Sequence, residues 1–584
     1  MSAFAAAVLL SIAQPLAAQS APAAGADAVD PVDVVAAPWL AESGAADLTD
    51  GLAARMGVPS ASAGPDFVLD GLESRRWLVE RAGVRLLAAP WSGTPIAALP
   101  LALFLDERIA VRGGPGPGEL GDAALGGTLS LERASRRANA AAQAATEVRF
   151  GSTGRSRATL AAGSDGGLVT TDVAAFMAGD VSDVGAGARA SGARGRVALQ
   201  QSQRAQLALE CDAMSLAVGG ARQQRSSVRF DSTLSLQPGQ ALRFDIVRQG
   251  LSDRPGGGLA GSALDEISLR AGYLGQLVVD HQVDLALTGS IQSARRPLVT
   301  AAATTPSRVV AGVVASDDWR IRPKLRLRAS TSLGFDDRVG GLVAGRVALR
   351  YEPARAVVLR GVVGTAQRAP TLQERGFVSG AWAGPALDET PTLRAERGQG
   401  YRLSAGLEPR PDTFARITLV RTDLADLIEP VAEGDAAARD WQRYHNIGQQ
   451  HVQALAVDAL ALRLAGGLGV DLAYRWLFDA RDDRTGHLLA DRPEHLLNLL
   501  VRWEVAALGT QLFVRGRLVR ERVSAATGEL APLASVDAGA QLALFDKVDI
   551  VLALENAAGA SGRSVLPLPE RAARVALRLR TGEW

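Results

Sequence analysis

From Thr146 to Trp584 the chain repeats one pattern: apolar and polar residues alternate with period two, in segments separated by Gly, Asp, Pro and Arg turns. In "KLRLRASTSLGF", Leu325, Leu327, Ala329, Leu333 and Phe335 share one face, and Arg326, Arg328, Ser330 and Ser332 share the other. "SSVRFDSTLSLQ" sets Val228, Phe230, Leu234 and Leu236 against Arg229, Asp231, Thr233 and Ser235. "ARVALRLRTGEW" sets Val575, Leu577 and Leu579 against Arg574, Arg578 and Arg580. Several arginines on one face of each strand cannot pack into a dry core, because unpaired buried charge is too costly. A soluble sandwich or propeller also alternates. A membrane barrel, with its apolar face in lipid and its polar face in a wet lumen, accommodates the charge without strain. About 21 to 23 segments, at roughly twenty residues per strand and turn, suit a barrel of about 22 antiparallel strands with a plugged lumen.

The chain before the barrel is organised differently. Residues 1–20 read as a signal peptide, with an apolar run from Phe4 to Ile12 and small residues from Ala17 to Ser20. The first basic residue is Arg55, so the usual positive n-region is missing. Residues 21–30 form a small-residue leader, 31–135 a compact mixed α+β domain, and 136–145 an alanine-rich linker. No other stretch offers about eighteen uninterrupted apolar residues, which argues against a helical membrane span. With 63 basic and 62 acidic side chains, no bulk charge draws the chain to nucleic acid. The one cysteine, Cys211, excludes an intramolecular disulfide or a thiolate metal cluster.

The junction between the two parts is Arg108 to Leu131, "RIAVRGGPGPGELGDAALGGTLSL", a strand, a Gly- and Pro-rich reversal, and a second strand. Gly116, Gly118 and Gly121 nominally spell G-x-G-x-x-G, but no βαβ series comes after it to support a dinucleotide site. The stretch resembles the end of the plug domain of TonB-dependent outer-membrane receptors, with "RIAV", "GPG" and "ALGG" at the family spacing. Leu120 stands for the family tyrosine and Asp122 for a serine. Two further stretches resemble that plug. Pro31 to Val58 carries a short strand (Val32, Val34) and an amphipathic helix with Leu48, Leu52 and Met56, capped by Asp47. Gly64 to Val111 matches at Phe67, Val68, Gly71, Leu78, Val79, Gly83, Val84, Arg85 and Leu86. Inside the barrel, "AQRAPTLQERGFVSGAWAGPALDETPTLRAE" resembles a receptor loop, with Arg368, Ala369, Pro370, Thr371, Leu372, Glu374, Pro391, Leu393 and Glu396 in register. Cobalamin and siderophore receptors are closest in layout.

The resemblance implies a monomeric outer-membrane receptor, held in lipid, that takes up a scarce ligand such as a metal chelate or cobalamin. The inner-membrane TonB complex would pull on the plug by adding a strand to a short leader segment. No separate coupling segment fits before Pro31, so that segment is either missing or merged with the first plug strand, Val32 to Val35. Ligand contacts fall on Trp91, Ser92 and Thr94 at the plug apex, and on Trp382, Trp441 and Tyr444 in long loops. Trp91 serves equally well as packing against the wall. The alternative is a plugged barrel that has lost energised transport, a reading the scarcity of aromatic residues leaves open.

The resemblance also places plug–barrel contacts at Asp70, Arg112, Glu396 and Arg402. The family's plug arginine is replaced by Asp70, and a barrel glutamate six residues beyond Glu396 is replaced by Arg402. Together the two changes predict an ion pair of reversed sign. No catalytic motif, cofactor site or metal set is present; His445 and His451 are close in sequence but lack a third ligand at metal spacing.

Overall fold

The computed structural model describes residues 33–36, 57–59, 67–70, 72–73, 76–81, 84–86, 107–117 and 124–133 of the N-terminal part and, apart from loop segments, 143–581. The C-terminal part is a closed antiparallel barrel of 22 strands. Gln143–Gly151 is its first strand and Ala572–Thr581 its last, and the two pair with each other. The first strand thus starts at Gln143 rather than Thr146. Closure leaves no sheet edge, which is the condition for placing strands in hydrocarbon, where no water can satisfy a free N–H or C=O.

The alternation sorts side chains as the sequence requires. Leu333 and Phe335 are 58% and 59% exposed on the outer face, whereas Ser332, next to Leu333 in the chain, is 3% exposed. Val228, Phe230, Val575 and Leu577 also point outward, and Arg229, Arg574 and Arg578 are buried on the lumen side. Polar inside and apolar outside inverts a soluble protein and is the distribution of a transmembrane barrel. No helix among the described residues is long and apolar enough to cross a membrane. The two ends differ: turns such as 238–239, 279–280 and 355–356 close one end, whereas 369–395 and 556–571 connect strands at the other.

The N-terminal part forms a five-stranded sheet, in the order β1, β7, β8, β5, β6. Its strands are β1 (Asp33–Ala36), β5 (Trp77–Arg81), β6 (Val84–Arg85), β7 (Glu107–Gly113) and β8 (Gly127–Arg133). A second sheet joins β2 (Gly57–Pro59), β3 (Phe67–Leu69) and β4 (Leu72–Glu73). β1 pairs with β7, Val34 opposite Ala110, so Val34 and Val35 are part of the plug sheet. The expected helix with Leu48, Leu52 and Met56 lies outside the described residues. Ile109, Val111, Leu129 and Leu131 are buried in this small domain.

Leu577 sits on the outer face near the middle of its strand, 41% exposed. Leu577→Arg is expected to lower the unfolding free energy in lipid vesicles by about 2–4 kcal/mol, measured by urea titration. An unchanged value would mean that this face does not meet hydrocarbon.

Candidate functional site

The described parts of the Gly- and Pro-rich run, 113–117 and 124–127, continue the pairing of β7 with β8. Gly114 N donates to Gly126 O (2.7 Å), Gly116 and Ala124 form a bridge, and the chain returns as β8. Gly114 has φ +92°, a conformation that L side chains rarely adopt. The 113–116 stretch of this run presses against the barrel wall. A Cβ on barrel residue Gly364 or Gly400 would collide with Pro115, so these two positions form a recess for the proline. Arg346 reaches from the wall and donates to the carbonyls of Gly113 (3.1 Å), Gly114 (3.1 Å) and Pro115 (3.2 Å). Plug residues Leu72 and Leu125 join barrel residues Ala366, Val420, Leu424 and Leu427 in one apolar cluster.

Around this stretch the contacts are ionic. Arg402 Nη1 donates to Asp70 Oδ2 at 2.6 Å, and Arg475 Nε lies 3.6 Å from Asp70 Oδ1. Asp70 is buried and holds φ +48°, a turn conformation that aspartate tolerates better than most residues. A Cβ at Gly113 would overlap the Arg402 guanidinium, so the barrel cation occupies the space a plug side chain would otherwise fill. Glu396 is fully buried between Arg76 of the plug and Arg368 of the barrel, and also accepts from Ile428 N at 2.7 Å. Arg76 bonds Glu429 as well, at 2.8 Å.

A third station lies on the opposite wall. Plug residue Arg81 pairs with Glu210 (2.7 Å), and Arg194 grips Glu107 of the plug with two bonds, 2.6 and 3.0 Å. Burial pushes the Glu107 carboxyl up, but the Arg194 charge and hydrogen bonds outweigh it and hold the group below the usual carboxylate range. Each pair offsets desolvation with direct charge-assisted bonds, and loss of one partner strands the other; in buried pairs that costs about 3–5 kcal/mol.

The structure thus brings Asp70 to Arg402 and Glu396 to the plug. Within the plug, Arg112 donates to Ser130 (3.2 Å) and to Glu132 of β8, because β7 and β8 place these side chains on one face. Tyr444 is half-buried on the strand Gln442–Arg463, opposite Pro430. Trp91, Ser92, Thr94, Trp382 and Trp441 lie outside the described residues. His445 is opposite Glu429, and His451 bonds Asp479 (3.0 Å) and Asp483. The sequence pattern does not single out Arg76, Arg346 or Arg475. Arg76 stands six residues after Asp70, and that spacing is the one signal that could have found it.

A transmembrane barrel whose lumen is occupied by a folded, ion-paired N-terminal domain is a plugged receptor-type barrel. Residues 139–557 match the family model described as TonB dependent receptor-like, beta-barrel, and the chain belongs to that family. No curated protein matches the chain. Among solved structures it is similar to a mutant ferric enterobactin receptor of Pseudomonas aeruginosa in complex with enterobactin. That likeness has a TM-score of 0.78 and 14% identity, covering 94% of this chain and 99% of that one. It is also similar to the siderophore receptor PirA from Acinetobacter baumannii (TM-score 0.75, 13% identity, 94% and 98% covered). The copper transporter OprC gives a TM-score of 0.74 at 15% identity, with 94% and 100% covered. At such identities the likeness concerns the fold.

Asp70→Arg is expected to unseat the plug and raise antibiotic entry into cells, and Asp70→Arg with Arg402→Glu to bring entry back down. Equal leakage from the single and double variants would show that the two residues do not act as partners. Because the Glu107 pKa is depressed in the folded state, its contribution is present above the unfolded carboxylate pKa of about 4.3 and is lost as pH falls through the folded value. Protease resistance of the plug should therefore drop on acidification below about pH 4, and Glu107→Gln should flatten that pH dependence.

Proposed function

We propose that this protein is an energised outer-membrane receptor that takes up a small chelate, such as a siderophore–iron complex or cobalamin, in a Gram-negative cell. The observation that carries the reading is the plug seat. A domain held largely by ion pairs and backbone hydrogen bonds can exchange them for water when it shifts, so the same contacts that close the lumen permit it to open. The long connections 369–395 and 433–441, with Trp382 and Trp441, and the strand end at Tyr444 would form the ligand-facing end, with Trp91, Ser92 and Thr94 offering contacts from the plug.

Coupling to the TonB complex would act on β1. Among the described residues this strand is at the edge of the plug sheet and pairs only with β7, the position from which an extended partner segment would add as a further strand. A passive pore finds no supporting observation among the described residues.

The test is uptake in whole cells, with ferric catecholate, ferric hydroxamate, cobalamin and copper as probes, with and without a protonophore. One probe should accumulate only in energised cells. Deleting residues 31–36 should abolish that accumulation while leaving binding to the purified protein intact. Uptake indifferent to the protonophore would overturn the energised reading.

A further inference from the structure

At the end closed by short turns, inward arginines stand side by side. Arg320, Arg326, Arg350 and Arg360 are direct neighbours in one row across the strands Ser307–Arg322, Leu325–Asp336, Gly340–Ala354 and Val357–Arg368. Like charges placed directly opposite destabilise a sheet unless anions intervene. Here Asp318 accepts from Arg326 (3.4 Å), Glu352 from Arg350 (2.8 Å) and Glu408 from Arg360 (2.7 Å). Those acids are therefore taken. The cations Arg320, Arg322, Lys324, Arg328 and Arg355 of the same sector have no ion-pair partner among the described residues, and Lys324 donates to the carbonyl of Pro353 (3.3 Å).

These cations form a rigid shelf. Arg320, Arg322, Lys324 and Arg355 are exposed, and Arg328 is half-buried. The turns that carry them are stitched sideways through the backbone: Glu352 N donates to Lys324 O (2.9 Å), and Glu408 N to Ala356 O (2.6 Å). Pro323 and Pro353 stiffen the turns by fixing φ. Neighbouring hairpins are two strands apart, so the charge recurs at about 10 Å. The outward positions at this end are of another kind. Trp319, Leu327 and Leu349 make one row, and Leu325, Tyr351 and Leu359 the next. Outward aromatic side chains at a barrel's end mark the lipid interface. The cations, inward or at the turn tips, face the water under the lumen mouth.

We propose that this shelf docks the cell wall, a glycan polymer whose short peptides carry free carboxylates. That this end faces the wall rests on the receptor reading above, with the long connections outside. Unpaired cations at a regular spacing are complementary to a polyanion whose charges also recur along its length. The turn tips, 322–324 and 353–356, present only Arg, Lys, Pro and Ala. A folded acidic protein binds through buried aromatic or aliphatic anchors, and these tips offer it none. A hydrated polymer needs no such anchor and engages several cations at once. Each contact is individually weak and screened by salt, so the barrel is tethered without being fixed.

The experiment sediments the full chain, in phosphatidylcholine nanodiscs, with insoluble cell-wall sacculi and measures the fraction bound. The native protein should co-sediment, and salt raised from about 0.05 to about 0.5 M should release it. Sacculi with amidated carboxylates should bind it about tenfold more weakly. Arg322→Gln, Lys324→Gln and Arg355→Gln combined should cause a similar loss, since three exposed contacts go together. Arg394→Gln with Arg397→Gln, at the end of the long connections, should bind as the native protein does. All variants should keep the heat-dependent electrophoretic shift of a folded barrel, which separates lost binding from misfolding. Uptake is not read, so failure here leaves the receptor reading standing. Equal binding to amidated sacculi, unchanged binding of the folded triple variant, or tighter binding to phosphatidylglycerol vesicles than to sacculi would overturn the proposal.

Discussion

Closing a sheet on itself in a medium without water constrains the rest of the structure. Once every backbone group is paired around the ring, the only freedom left is which side chains face which way. Lipid takes the apolar set, so the charged set is forced into the lumen. There Arg194, Glu210, Arg346, Arg402 and Arg475 are buried or nearly so, and each needs a counter-group. The plug supplies many of them: Asp70, Glu107, Arg81, and the carbonyls of Gly113 to Pro115. Plug and barrel are therefore electrostatically incomplete without each other.

The Asp70–Arg402 contact shows how closely plug and barrel fit at one station. A plug anion meets a barrel cation, and Gly113 has no side chain to compete with the guanidinium for space. Arg475 adds a second cation near the same carboxylate. A few residues away the polarity is opposite: Arg76 of the plug enters an acidic pocket made by Glu396 and Glu429. The two stations pull the plug to the same wall with charges of opposite order, so the seat depends on complementarity rather than on the sign of any one residue.

Much of this is legible in the sequence, for reasons tied to particular residues. The alternation in Leu325 to Phe335 and in Val575 to Leu579 sets the outward faces, because a period of two leaves only one assignment that keeps arginine out of lipid. Asp70 and Arg402 can be paired from the sequence alone, since both depart from a motif at fixed spacing. Arg346 and Arg475 cannot: in the sequence they look like every other lumen arginine, and which of them meets the plug is decided by the stagger of strands around the barrel.

The central claim is that a folded plug, seated by these polar contacts, closes the lumen of an intact barrel. Conductance of the purified protein in a planar bilayer tests it most directly. The account predicts a closed channel in buffer, and a large, reversible conductance once moderate urea releases the plug while the barrel stays folded. A steady large conductance in the absence of urea would contradict it.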